Sequence, residues 1–141
     1  MKYEYNDGGR SIAGYRGSTS DCVTRAIAIV TNKPYQEVYD LVNSYGSQER
    51  KSSKQKKSNS RTGVRNATVR KIMKDLGFEW TPTMAIGSGC KVHLRESELP
   101  SGKIIASVSK HIVAIVDGVI YDTHDPSRDG TRCVYGYWRM P

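Results

Sequence analysis

The chain has 141 residues, of which 37% are hydrophobic and 26% charged, with nine tyrosines, two tryptophans and a formal net charge of +8. This composition excludes a fibrous or wholly disordered chain and predicts one globular domain, large enough for a packed core and small for a two-domain enzyme. No run approaches the roughly 18 apolar residues of a membrane span. Residues 1–10 lack the apolar stretch of a secretion signal, so a cytoplasmic setting without membrane contact is expected.

Behind a polar N-terminal segment, Val23, Ala26, Ile27 and Val30 follow the i, i+3, i+4, i+7 spacing of a helix with one buried face. Ser20 or Asp21 is a suitable N-cap. Cys22 then lies in the first helical turn, where free backbone N–H groups and the positive end of the helix dipole favour a thiolate over a thiol. A second helix is predicted from Pro34, with Val38, Leu41, Val42 and Tyr45 on one face and Gly46 as its stop. A third carries Val69, Ile72, Met73 and Leu76 and ends at Gly77.

Between the second and third helices, residues 47–62 carry Arg50, Lys51, Lys54, Lys56, Lys57 and Arg61 against the single acid Glu49. With hardly an apolar residue to bury, this stretch is expected to be a mobile solvated loop. It is also the one segment suited to contact nucleic acid or an acidic protein, because clustered cations release counterions from phosphates.

From Phe78 the texture changes to short β-rich runs, FEW, KVHL, KIIASV, HIVAIV, VIYDT and CVYGYW, which predict a C-terminal antiparallel sheet and an α+β class. The sharpest local signal is HIVAIV-DG-VIYDT, in which Asp117-Gly118 supplies the two positive-φ residues of a type I′ hairpin. That turn sets Val116 opposite Val119, Val113 opposite Asp122 and His111 opposite His124. His111 and Asp122 thereby share a face as diagonal neighbours.

Three widely spaced cysteines, Cys22, Cys90 and Cys133, form no CxxC pair and are expected to be free thiols. Cys90 and His93 make a single Cys-x2-His pair, whereas a closed zinc site shows two, so neither metal nor other cofactor is expected. As an extended strand, GSGCKVHL would instead offer Cys90, Lys91 and His93 to a substrate cleft. Tyr135, Tyr137 and Trp138 read as sheet-packing aromatics, without the surrounding pattern of an RNA-stacking platform.

A helix-opening Cys, a distant His on a strand and an acid on the following strand resemble, in that order, the papain-like cysteine peptidase superfamily. More closely, DCVTRAIAIV, GCKVHL, SKHIVAIVDGVIYDTHDPSR and CVYGYW are similar to small papain-fold proteins of tailed bacteriophages, over most of the chain. The resemblance implies a papain-like fold, with N-terminal helices packed on the sheet. It further implies Cys22 as nucleophile, His111 as general base and then acid, and Asp122 as the group orienting the imidazole. Asp125, in an Asp-Pro pair, is the alternative acid, and the hairpin register favours Asp122.

Such enzymes usually carry an oxyanion-binding Gln upstream of the Cys, and no Gln lies between Met1 and Cys22. The candidate donors are therefore the Cys22 backbone N–H together with Arg16, Ser18, Thr19 or Ser20. The expected activity is hydrolysis of a peptide, isopeptide or related amide bond, with a peptide or protein of the host cell as substrate. The rival expectation is an inactive papain-like binding module that uses the basic loop.

Overall fold

The computed structural model describes residues 1–17, 19–85 and 87–141. Among the described residues the chain is α+β, with three helices and a six-stranded sheet. In chain order the elements are β1 (Lys2–Tyr5), α1 (Cys22–Thr31), α2 (Tyr35–Ser47), α3 (Asn66–Asp75), β2 (Glu79–Pro82), a 3₁₀ turn (Glu96–Glu98), β3 (Lys103–Val108), β4 (His111–Val116), β5 (Val119–Asp122) and β6 (Gly136–Arg139). No helix among the described residues is long and apolar enough to cross a membrane.

The sheet order is β1-β5-β4-β3-β6-β2. All pairings are antiparallel except β1 with β5, which is parallel. The purely antiparallel expectation is corrected by β1. KYEY is a short, largely exposed edge strand, and such strands lack the apolar alternation that marks their neighbours.

Helix α1 packs chiefly on β4. Val23, Ala26, Ile27 and Val30 are buried as their spacing predicts, and they meet Ile105, Ile112, Ala114 and Trp138 of the sheet together with Val38, Val42, Val69, Ile72 and Met73 of α2 and α3. The opposite sheet face buries Ile104, Ala106, Val108, Val113, Ile115 and Ile120 under Leu94 and Val134. Each such Val, Leu or Ile side chain contributes about 1.5–3 kcal/mol on burial. Coverage on both faces explains why KIIASV and HIVAIV are almost continuously apolar.

Helix α3 ends as anticipated. Gly77 adopts φ +93°, its N–H donates to the Lys74 carbonyl, and the Phe78 N–H reaches Met73 O at 2.9 Å, a Schellman closure. Gly46 has a different role from the one expected. It lies inside the last turn of α2, and a Cβ there would meet the Ser58 carbonyl oxygen at 2.0 Å. Its missing side chain admits the following loop rather than stopping the helix.

That loop is organised around two residues at its ends. The Arg65 guanidinium donates to the carbonyls of Lys56, Arg50 and Gln55 at 2.7, 3.0 and 3.1 Å. The Glu49 carboxylate accepts from the Ser58 N–H at 2.5 Å and from the Ser58 and Thr68 hydroxyls. Ser58 and Ser60 are buried, while Arg50, Lys51, Lys54, Lys56, Lys57 and Arg61 remain exposed.

The expectation of three free thiols is corrected, because Cys90 and Cys133 form a disulfide. Backbone bonds from Leu94 N to Arg132 O and from Val134 N to Val92 O draw the two segments together. The cysteine Cα atoms are then 5.8 Å apart, within the range that a disulfide spans. KVHL is accordingly no regular strand and contributes one bridge, His93 to Cys133.

Candidate active site

Cys22 is the first residue of α1, and the amides of that turn have no intrahelical acceptor. It is the one free cysteine and is half-buried. His111 opens β4 directly after Lys110, which adopts φ +56° in the tight turn from β3. The hairpin has the predicted register, Val116 with Val119, Ile115 with Ile120 and Ala114 with Tyr121, and Asp117 and Gly118 both take positive φ.

One step beyond that ladder, His111 Nε2 lies 2.6 Å from Asp122 Oδ2. This leaves Nδ1 free of the carboxylate, and Cys22 and His111 line the same two cavities. The structure thus brings Cys22, His111 and Asp122 together. Asp125, the alternative acid, is exposed and accepts the Ser127 N–H instead.

The charges follow from these contacts. Burial pushes the Cys22 thiol up, but the His111 hydrogen bond and charge, the Ile112 backbone N–H and the charge of Arg25 outweigh it and lower the pKa below the ordinary 9.0. Burial disfavours the His111 cation, yet hydrogen bonds to Asp122 and Cys22 prevail and raise its pKa to about 9. For Asp122, burial opposes ionisation, and the hydrogen bond and charge of His111 overcome it, so its carboxyl titrates below 3.8. All three shifts favour the charged forms, thiolate, imidazolium and carboxylate, over the neutral ones.

Behind these three residues lies a set of buried charges that the sequence reading missed. Asp122 Oδ1 accepts from Arg25 Nη2 at 3.2 Å, and Arg25 Nη1 pairs with Asp21. Asp21 Oδ2 also receives Tyr35 Oη at 2.7 Å and Arg10 Nη1 at 3.3 Å. Arg10, Asp21, Arg25, Asp122, His111 and the thiolate form of Cys22 thus alternate in sign along the series. Desolvating such charges is tolerable only because each has an opposite neighbour.

Asp21 holds the N-cap position of α1, as one of the two expected candidates, but without a side-chain cap. Its carbonyl accepts the Arg25 N–H at 3.0 Å and starts α1, but its side chain makes no cap bond, because two guanidiniums and a phenol hold the carboxylate. A signal was present in the sequence, since Arg25 stands four residues after Asp21 on a helix otherwise rich in apolar residues.

Among the oxyanion candidates, the Cys22 N–H opens the helix, and Arg16, Thr19 and Ser20 line the adjoining cavity. Thr19 Oγ1 is buried and has no hydrogen-bond partner among the described residues. Ser18 lies outside the described residues.

The proposed cleft role of Cys90, Lys91 and His93 is corrected. None of the three lines either cavity beside Cys22. Cys90 is bridged to Cys133, and His93 Nδ1 is 3.2 Å from Glu98.

Two cavities, of about 880 and 600 Å³, meet at Cys22 and His111. His111, Asp122 and His124 place ligand atoms within 4.8 Å of one another and could hold a metal ion. An ion there would compete with Arg25 for Asp122 and with Cys22 for His111. Comparison with protein-family models, curated proteins and solved structures finds no match to this chain.

Proposed function

We propose that this chain is a papain-like cysteine hydrolase of amide bonds, with Cys22 as nucleophile, His111 as proton carrier and Asp122 as the group that orients the imidazole. The observation that carries the reading is His111 held at 2.6 Å by the Asp122 carboxylate in the two cavities that it lines together with Cys22 of the first turn of α1. The order of these residues along the chain, and their placement at a helix start and in a strand hairpin, support the papain-like assignment.

In the reaction, the Cys22 thiolate attacks the substrate carbonyl carbon and its electron pair forms the S–C bond. The oxyanion is met by the Cys22 N–H at the start of α1. As the C–N bond breaks, His111 gives its proton to the departing amine, leaving a thioester. Water then attacks the thioester, gives its proton to His111 and displaces the thiolate. A peptide or protein of a host cell, cleaved by a phage-encoded enzyme, is the substrate that the sequence resemblance favours.

The test is turnover of p-nitrophenyl acetate. A burst of nitrophenol equal to one enzyme equivalent, with mass spectrometry showing acetyl on Cys22, supports the proposal. Absence of an acyl-Cys22 species, or its persistence in His111→Ala at the wild-type rate, contradicts it.

A second reading rests on the exposed cations of residues 50–61. Lys57 Nζ donates to Ser47 O, and the loop otherwise directs its lysines to solvent, which suits a nucleic acid or an acidic partner. Neutralising Lys54, Lys56 and Lys57 should then weaken low-salt binding to DNA or RNA, and no binding at low salt would remove this reading.

A further inference from the structure

Resting on the reading of Cys22 and His111 as a reacting pair, we infer that the basic loop extends their cleft and that the substrate is an acidic polypeptide lying across both. The loop and the reacting pair then serve one partner.

The smaller cavity at Cys22, of about 600 Å³, is lined by no Asp or Glu. Besides His111, its charged members are Arg70 and Lys110, both exposed and neither paired with a carboxylate among the described residues. Thr62, Gly63 and Val64 line this cavity and also a third one, of about 240 Å³, so the two adjoin at that segment. The third cavity adds Lys56 and Lys57, and again no acid. Its remaining cation, Arg65, is paired at 3.5 Å with Glu49, the single acid of residues 47–62. Lys110, Arg70, Lys56 and Lys57 thus stand without a carboxylate along cavities that begin at the nucleophile.

The loop that carries Lys56 and Lys57 is held in place. The Ser58 carbonyl occupies the space that a side chain at position 46 would fill, Ser60 Oγ donates to Tyr39 O at 2.6 Å, and Arg65 gathers the carbonyls of Arg50, Gln55 and Lys56. Lys57 Nζ donates to Ser47 O at 3.2 Å, a contact that leaves its charge unneutralised. Like charges in a loop repel one another, and seating them beside a cleft concentrates positive potential where a chain approaches Cys22. A polyanion fits that surface. Among polyanions, a polypeptide rich in Asp or Glu contains the amide bond that Cys22 attacks, and the backbone of a nucleic acid does not. Trp80, 43% exposed on the same cavity, gives the side chains of such a polypeptide an apolar contact.

The test uses decapeptides, about 33 Å long when extended, in which the same positions carry Glu, Gln or Lys. Each bears a chloroacetyl group at its N-terminus or a chloromethyl ketone at its C-terminus, so that the chain leaves the sulfur in either direction. The Cys22 thiolate bonds to the methylene carbon and chloride departs with the electrons of the C–Cl bond. Labelling of Cys22 is followed by mass spectrometry, with iodoacetamide as the measure of intrinsic reactivity.

We expect the Glu peptide of at least one series to label about tenfold faster, or more, than its Gln and Lys counterparts, with an advantage that shrinks as salt is added. Lys56→Gln with Lys57→Gln should lower the Glu-to-Gln ratio about twofold or more and leave iodoacetamide labelling unchanged. Lys2→Gln with Lys103→Gln removes the same charge at the far end of the sheet, where Lys2 pairs with Val119 and Lys103 with Val116, and should leave the ratio as it is. Ratios are taken within each variant, so altered folding does not mimic them. Equal labelling by the three peptides with a reactive Cys22, or equal losses from the two double variants, would overturn this inference alone. Oligothymidylate that blocks labelling by the Glu peptide at lower concentration than an oligoglutamate of equal charge would reassign the surface to nucleic acid. A Cys22 inert to iodoacetamide would overturn the hydrolase reading beneath it.

Discussion

Arg25 and Asp122 form an ion pair of 3.2 Å in which the side chains are only 8% and 4% exposed. Arg25 also pairs with Asp21, so one guanidinium joins the carboxylate that serves His111 to one buried at the start of α1. Arg25→Met should remove the charge and leave two carboxylates without their shared partner. The expected loss is about 3–5 kcal/mol of unfolding free energy, read by urea denaturation. A loss below about 1 kcal/mol, the range of an exposed ion pair, would contradict the structural weight given to this residue.

The pH dependence follows from two signs. The Cys22 pKa is lowered, so the thiolate is present once the pH exceeds a value below 9.0. The His111 pKa is raised to about 9, so the imidazolium that protonates the leaving amine in the proposed mechanism is lost as the pH rises through about 9. The profile of kcat/KM against pH for an amide substrate should be bell-shaped, with its alkaline limb near 9. Asp122→Asn, which withdraws a main cause of the His111 shift, should move that limb to lower pH. An unmoved limb would show that it belongs to another group.

Acid stability carries the opposite sign for Asp122. Its folded pKa lies below 3.8, so its contribution is complete above the unfolded value and is lost as the pH falls through the folded one. Thermal melting between pH 5 and 2 should therefore show a larger decline for the wild type than for Asp122→Asn at matched ionic strength.

Gly46→Ala tests the docking of the basic loop. Its methyl would meet Ser58 O at 2.0 Å, so the loop or the last turn of α2 must move. A cost of about 1–3 kcal/mol is expected, as for overpacked sites. Trypsin should also cut faster at the lysines of residues 51–57. Unchanged stability and cleavage would mean that the loop is not seated on α2.

Reducing the Cys90–Cys133 bond should destabilise the chain. Its sequence separation is 43, for which loop-closure entropy gives about 4 kcal/mol. Urea midpoints with and without a phosphine reductant measure this, and coincident curves would contradict it.

What the sequence disclosed depended on whether the determining contacts were local. Asp117-Gly118 specifies its turn within two residues and hence the register that joins His111 to Asp122. Helices α1 and α3 were legible because their buried faces repeat at short range. Strand β1 was not, since its pairing to β5 lies more than a hundred residues away and its side chains are largely exposed. The Cys90–Cys133 bond was hidden for the same reason, being the result of backbone pairing around Leu94 and Val134. Arg10 and Tyr35 reach Asp21 from separate segments, so nothing in their own surroundings marked them as part of the site.

The most direct test of the central claim is the ionisation of Cys22, followed as iodoacetamide alkylation rate against pH in the wild type and in His111→Ala. The account predicts a wild-type thiolate forming below the ordinary thiol value of 9.0 and a return toward that value when the imidazole is removed. A Cys22 that titrates at or above 9 in the wild type, unchanged by loss of His111, would contradict a reacting pair at this site.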